Sequence, residues 1–251
     1  MPSATDPAVS ISFTNSTKSL EVGSKITPTY SASLSAGSYT YGPETGIVAT
    51  TWTITDTNDV VRNTAIGSFP EITVVDNMKY GVTAVATYDA GAIPVDNLGD
   101  EAPSKQIPAG SDDASASTKI TGYRNTFYGC YSAKEVDGVQ TGSTSDSIRS
   151  LSGKSGASWA NGKTFEIPIS ADAQRVVIAY PATLKDLEYV KDANDSDANI
   201  ISAFTNADGG AKATIKVAGA NGYNPIDYKI FSTDFAGAYG ATNTFKVKIK
   251  A

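Results

Sequence analysis

Glu166, Asp186 and Glu188 are the side chains of this sequence that could do acid–base chemistry, because a glycosidic bond is cleaved between two carboxyl groups on facing strands. Any β-rich chain of this length carries such pairs by chance. Solvated strand faces are the simpler reading, and no catalytic residue is expected. Nucleophilic catalysis is harder still to build. There is no histidine to act as base, and the single cysteine, Cys130, stands between Gly129 and Tyr131 in an apolar run, where it reads as a small buried hydrophobe. Ser152-Gly153-Lys154-Ser155 is a turn by composition rather than a serine–lysine pair on a helix. Gly209-Gly210 and Gly219-Ala220-Asn221-Gly222 lead into no Lys-Ser or Lys-Thr pair, so they read as turns and not as phosphate loops.

Hard oxygen ligands gather once, at Asp192, Asn194, Asp195 and Asp197, a spacing that suits calcium. The loop lacks the mid-loop glycine and the late glutamate of an EF-hand, and a solvated acidic loop is the simpler reading. Neither a metal nor any other cofactor is expected. Asp56-Thr57-Asn58-Asp59 reads as a hairpin turn capped by its own carboxylates.

Aromatic side chains offer binding rather than catalysis. Tyr39 and Tyr41 bracket Thr40 in a glycine-rich loop. Tyr123, Phe127, Tyr128 and Tyr131 crowd one strand-like stretch, and Arg149 follows close by. Trp159 lies in Gly156-Ala-Ser-Trp-Ala-Asn-Gly162, a loop by composition. Such residues stack on sugars or fill a partner's pocket, or they pack over the ends of their own domain. Tyr39, Tyr41, Tyr123, Phe127, Tyr128, Arg149 and Trp159 are therefore the candidate ligand or interface contacts.

The elements that must position these residues are strands. Short β-branched or alternating runs recur between Gly, Pro, Asn and Asp clusters. They predict strands over 9–13, 20–23, 26–34, 48–56, 60–66, 71–75 and 79–88, then over 119–131, 147–151, 164–170, 175–180, 211–218, 227–232 and 244–250. Only 184–190 and 198–204 suggest helical turns. Pro108 to Ser117 is small, polar and acidic, so 110–117 reads as a linker between a domain over 1–109 and a second all-β domain over 118–251, the half expected to carry assembly or docking. Lys246, Lys248 and Lys250 alternate, as on a guarded edge strand.

With 251 residues, 40% hydrophobic and 18% charged, the chain can bury real cores. A net charge of −6 argues against nucleic acid and against anionic membranes as partners, because both need a basic footprint. One cysteine excludes an intrachain disulfide, which suits folding in the cytosol. The opening MPSATDPAVSISF has no charged-then-apolar leader, so either a leader has been removed or export does not use that route. No run is long enough for an apolar membrane span.

Two resemblances follow. Trp52 in Thr50-Thr-Trp-Thr-Ile-Thr-Asp56 and Tyr80 in Asp76-Asn-Met-Lys-Tyr-Gly-Val82 resemble the strand-C tryptophan and the tyrosine corner of an immunoglobulin-like sandwich over residues 8 to 109. The step from Asp76 to Tyr80 is one residue longer than usual and both core cysteines are missing, as in the cysteine-free modules that decorate bacterial and phage surfaces. From Tyr88-Asp-Ala-Gly-Ala-Ile-Pro-Val-Asp-Asn-Leu-Gly99 through Gly122-Tyr-Arg-Asn-Thr-Phe-Tyr-Gly-Cys130, Phe165-Glu-Ile-Pro-Ile169, Val176-Val-Ile-Ala-Tyr-Pro181 and Phe245-Lys-Val-Lys-Ile249, the order resembles virion-associated proteins of tailed phages. These are of the fibre, tail and head-appendage kind, and the resemblance spans roughly residues 80 to 251.

The expectation is an all-β chain: an immunoglobulin-like β-sandwich followed by a second β-sandwich-type domain. Its expected role is a non-enzymatic structural or appendage protein of a phage virion. The partners implied are other virion proteins, further copies of itself and a host-surface glycan. The alternative is a carbohydrate-binding or adhesin module of a bacterial surface protein, extracellular or on the cell surface.

Overall fold

The computed structural model describes residues 3–15, 18–116, 120–131, 144–156, 159–233 and 239–251. Its strands begin with β1 (Ala4–Thr5), β2 (Ala8–Phe13), β3 (Lys18–Glu21), β4 (Lys25–Ile26), β5 (Thr29–Ser35), β6 (Ser38–Tyr39) and β7 (Ala49–Asp56). They continue with β8 (Val61–Arg62), β9 (Ile66–Ser68), β10 (Ile72–Thr73), β11 (Val82–Tyr88), β12 (Gly110–Ala116), β13 (Ile120–Tyr123) and β14 (Thr126–Tyr131). After a one-turn helix α1 (Ser145–Arg149) come β15 (Gly153–Ser155), β16 (Thr164–Ile169), β17 (Arg175–Pro181) and β18 (Leu187–Asp192). The last are β19 (Ala198–Asn199), β20 (Ala213–Val217), β21 (Ile226–Ser232) and β22 (Asn243–Ile249). The chain is all-β, and it divides into two compact units, residues 1–18 with 25–121 and residues 19–24 with 122–251.

Unit 1 is built on a three-stranded sheet, β2-β5-β9, and a four-stranded sheet, β12-β11-β7-β8, with the small pairs β1-β6 and β10-β4 beside them. Period-two alternation sends Tyr30 and Ala32 of β5 and Val82, Ala84 and Ala86 of β11 inward. Tyr30 meets Phe69 at 5.0 Å between ring centroids, and Phe13 meets Tyr80 at 5.7 Å. On β7 the fully buried anchor is Ile54, whereas Trp52 is half-buried near the strand's start. The alanines Ala84 and Ala86 opposite Ile54 and Trp52 leave room for these larger side chains.

Residues 110–116 are not a linker. They form β12, paired along its whole length with β11. The inward positions hold Asp112, Ala114 and Ala116, whose small or polar side chains erase the hydropathy alternation that would announce a strand. Asp112 accepts the Val9 N–H at 2.6 Å, so a backbone donor on β2 is satisfied by a side chain rather than by a neighbouring strand. The expected linker end Ser117 and strand start Lys119 lie outside the described residues.

Unit 2 holds a five-stranded sheet, β15-β14-β17-β21-β20, and a four-stranded sheet, β16-β22-β18-β19. Every residue of β17 is buried. One face of this strand joins Ile178 and Tyr180 to Ile167, Val190, Phe231, Phe245 and Val247. Its other face joins Val177 and Ala179 to Phe127, Ile148, Leu151 and Ile230. A strand buried on both sides reads as the unbroken apolar run seen at Val176-Val-Ile-Ala-Tyr.

Three local expectations change. Residues 147–151, expected as a strand, lie largely in α1, started by a reciprocal Thr144–Ser147 capping box and anchored by buried Ile148. Residues 184–190, expected as a helical turn, enter β18, because pairing with β22 outweighs the local propensity of Leu-Lys-Asp-Leu-Glu. The lysine strand β22 is central rather than an edge, flanked by β16 and β18. Lys246 and Lys248 face outward there, each paired at 2.9 Å, with Asp197 and Glu188 respectively. The edge strand β16 is instead interrupted by Pro168, whose missing N–H costs nothing on an unpaired side.

Candidate binding surface

The β5–β7 connection (36–48) and the β11–β12 connection (89–109) meet in unit 1 through a set of specific bonds. Tyr39 is the pillar. Its hydroxyl accepts the Ile107 N–H at 3.0 Å, and its ring end lies so close to Gly91 that a Cβ there would sit 2.7 Å from the oxygen. Ala92 N donates to Thr45 O at 2.7 Å, and Gln106 Nε2 donates to Gly91 O at 2.6 Å. Buried Thr45 turns its hydroxyl back to Ala36 O at 2.8 Å. Gly42, at φ 105°, brings its backbone against Val95, where a Cβ would stand 2.9 Å from the Val95 nitrogen. The tip of the longer loop is closed by Asp96, which accepts from Leu98 N at 2.8 Å and Asp100 N at 3.1 Å. These backbone donors hold its carboxyl below the usual aspartate value.

The shorter loop encloses a depression of about 550 Å3 floored by Tyr39 and Ile47 and rimmed by Pro43, Glu44 and Val48. Around it the loops expose apolar surface. Val48 is 71% and Leu98 81% exposed, and Tyr41 and Ile93 are also open. Glu44, Asp89, Asp96, Asp100 and Glu101 are the acidic side chains of the two loops, against one cation, Lys105. Such a surface favours neutral or cationic groups and repels anionic polymers.

Of the expected contact residues, Tyr39 and Tyr41 lie on this surface, Tyr39 as support and Tyr41 as an exposed ring. The others are in unit 2 and turn inward. Trp159 is buried, stacked on Phe165 at 3.9 Å between centroids and 4° between planes, with Tyr128 on its other flank at 6.2 Å. Phe127 is buried against Tyr228, and the Arg149 guanidinium lies 5.5 Å from its ring centre. Tyr123 is half-buried and covers Gly156. The loop-like composition around Trp159 hid its burial, because the residues that enclose it come from distant strands. The exposed Val48, Ile93 and Leu98 were passed over, since single aliphatic residues in a β-protein read as core.

The candidate chemical residues are engaged elsewhere. Asp186 pairs with Lys229 at 2.8 Å and Glu188 with Lys248, while Glu166 sits exposed on β16 opposite Lys246. In the acidic loop, Asp192 is buried and accepts from Tyr239 Oη, from Asn243 Nδ2 at 2.5 Å and from Asn194 N at 2.9 Å. Asn194 Nδ2 donates to Thr242 O, and Asp197 holds Lys246. These oxygens secure the turn after β18, and among the described residues no group of three or more His, Cys, Asp or Glu is placed to hold a metal. Cys130 lines a second depression, of about 530 Å3, with Ser152, Pro168, Thr242 and Asn243, where no ionisable side chain among the described residues accompanies the thiol. No helix among the described residues is long and apolar enough to cross a membrane.

No protein-family model matches the chain, and comparison with curated proteins and with solved structures returns no match.

Proposed function

We propose that this chain is a non-enzymatic structural or appendage protein of a phage virion, whose first unit is an immunoglobulin-like sandwich presenting a recognition surface. The observation that carries the reading is the meeting of the 36–48 and 89–109 connections around Tyr39. In an immunoglobulin-like sandwich the loops between the second and third strands and between the last two strands share one end and do the recognising. The sheet orders β2-β5-β9 and β12-β11-β7-β8 support that correspondence. So does Tyr80, buried like a tyrosine corner but bonded to the Asp56 carboxylate instead of a backbone group.

The aromatic and arginine content of residues 118–251 invited a docking role for that half. Phe127 and Trp159 are buried inside unit 2 and Arg149 holds Glu21, so we place docking on the loop surface of unit 1 instead, with exposed Tyr41 and Leu98 as its contacts. A neutral host-surface glycan is the ligand that suits an exposed tyrosine in acidic surroundings. The pairing of Asp186 and Glu188 with lysines supports the non-enzymatic reading.

Arrays of neutral and anionic glycans probed with the full chain test the ligand. Binding is expected to a neutral glycan and to fall at least about tenfold in Tyr41→Ala and Leu98→Ser, consistent with loss of a stacking contact. Binding unchanged in both variants, or confined to anionic glycans, would overturn the assignment. Genes for capsid or tail proteins beside the coding sequence are expected for the virion role; a metabolic gene cluster in that position rules it out.

A further inference from the structure

β7 is covered unevenly on its two sides. β11 runs along it from Ala49 to Asp56, but β8 pairs only with Ile54 and Thr55. Residues 50–53 therefore present an open strand edge in unit 1, and among the described residues no backbone hydrogen bond outside the β7–β11 pairing reaches them. A bulge falls at the same place. Thr87 pairs with Thr51 and Tyr88 with Ala49, which leaves Thr50 as the extra residue, and bulges turn a strand and re-aim its side chains. Thr50 Oγ1 is pinned there by donating to Thr87 O at 3.1 Å. Thr50, Thr51, Trp52, Thr53 and Asn63 line a depression of about 430 Å3 at this edge, within the roughly 300–1,000 Å3 of small-ligand sites.

The polar groups of this depression are unspent. Among the described residues, the indole N–H of Trp52, the hydroxyl of Thr53 and the amide of Asn63 have no hydrogen-bond partner. Thr53 and Asn63 are exposed, and Ser232 Oγ is the only buried side-chain polar atom left without a partner among the described residues, so the Trp52 N–H reaches solvent. An indole that was mere core would bury its N–H against an acceptor; half-buried Trp52 keeps it open. Asn63 nevertheless stands on a fixed turn. The Tyr30 hydroxyl donates to Thr64 O at 3.1 Å, and Ala32 N donates to Ala65 O at 2.7 Å. The neighbouring cation, Arg62, is engaged elsewhere: its Nε donates to Ser68 O at 3.0 Å, and its guanidinium lies 5.9 Å from the Phe69 ring centre. No residue of the lining is ionisable.

We propose that this edge is a binding site for an uncharged sugar ring, with Trp52 as its stacking platform and Thr53, Asn63 and the indole N–H as partners of its hydroxyls. A pyranose has apolar C–H faces and a polar rim, and it needs an aromatic surface bordered by free donors and acceptors. A carboxylated sugar finds nothing here to pair with. The site shares no residue with the 36–48 and 89–109 loop surface, and it stands whether or not that surface binds. A peptide adding a strand to the open edge is the competing occupant. β8 already takes Ile54 and Thr55, however, and the run 50–53 that remains is too short to set a register.

Titration of the full chain with glucose, galactose, mannose and N-acetylglucosamine tests this, with glucuronic acid as the charged control. At least one of the four neutral sugars is expected to shift the tryptophan emission and to shield it from acrylamide, and glucuronic acid to do neither. The sugar-dependent change should vanish in Trp52→Phe, which leaves buried Trp159 as the sole emitter. Asn63→Ala should melt as wild type does, since the exposed amide makes no bond among the described residues, and should need at least about tenfold more sugar for the same change. The proposal fails if none of the four sugars alters the emission, if the change survives in Trp52→Phe, or if glucuronic acid produces it equally well. It fails too if folded Asn63→Ala responds at wild-type concentrations, and that variant decides alone should Trp52→Phe not fold.

Discussion

Tyr80 donates its phenolic hydrogen to Asp56 Oδ2 at 2.5 Å, inside unit 1, and the other oxygen of the same carboxylate takes the backbone N–H groups of Asn58 and Val60 at 2.9 and 2.8 Å. A buried tyrosine is thereby tied to the hairpin between β7 and β8. The sequence pointed to Asp56 as a turn cap and to Tyr80 as resembling a tyrosine corner; the two meet in one arrangement.

Tyr80→Phe removes one hydrogen bond to a charged acceptor and leaves the ring in place, so a loss of about 1.5–3 kcal/mol is expected in urea unfolding. Asp56→Ala strips the partner from the phenol and from both N–H groups and should cost more than Tyr80→Phe. An Asp56→Ala variant as stable as wild type would show that this carboxylate caps nothing of consequence.

Stability should fall at both ends of the pH scale, for opposite reasons. Burial, reinforced by the Asp192 hydrogen bond, pushes the Tyr239 phenol up to about 12, and burial raises Tyr80 and Tyr180 as well. A raised phenol favours the folded state fully below the unfolded value of about 10 and progressively less as pH rises beyond it. For Asp192, burial pushes the carboxyl up, but donors from Tyr239, Asn243 and the turn backbone outweigh it and hold the group below its ordinary value. Its contribution is present above the ordinary aspartate value of 3.8 and vanishes as pH drops through the lower folded value. Thermal melts from pH 5 to 2 should show wild type losing more stability than Asp192→Asn, and equal acid slopes would remove Asp192 from the account.

The two tryptophans should behave unequally. Trp159→Ala empties a buried site between Phe165 and Tyr128, a change that costs about 3–5 kcal/mol. Trp52→Ala acts on a half-buried ring and should cost less. In the single-tryptophan variant Trp52→Phe, the Trp159 emission should be blue-shifted and poorly quenched by acrylamide. Strong quenching would place the ring in solvent.

Cutting the chain at the compositional break should fail. A fragment 1–109 lacks β12, and with it the Asp112 carboxylate that satisfies Val9 N. A fragment 118–251 lacks Glu21 and Val22, leaving Arg149 without its carboxylate. Neither is expected to unfold cooperatively in circular dichroism melts, whereas the full chain is. A sharp transition from 118–251 alone would show residues 19–24 to be dispensable.

Much of the architecture was legible in the sequence, because β-branched runs between turn residues leave few alternatives to stacked sheets. The second unit's core strands 164–170, 175–180 and 244–250 were readable from their apolar runs. What stayed hidden depended on partners far along the chain. Gly110–Ala116 looks like a tether because Asp112, Ala114 and Ala116 are small or polar where they face inward. Leu20–Gly23 looked like an ordinary strand of the first domain, and nothing local to Glu21 announces an arginine 128 positions later. The candidate surface was half visible: Tyr39 and Tyr41 stood out in their loop, while the Gly and Pro residues of the 89–109 connection marked a loop without showing that it meets them.

The 19–24 segment, which packs within unit 2, also imposes an order on biosynthesis. Gly23 leaves the ribosome 198 residues before Asn221. At roughly 5–20 residues per second, the Glu-Val-Gly segment waits on the order of 10–40 s for the last part of its site to be made. During that interval the partners of the buried Val22 backbone, Tyr123 and Ala220, are not yet both made.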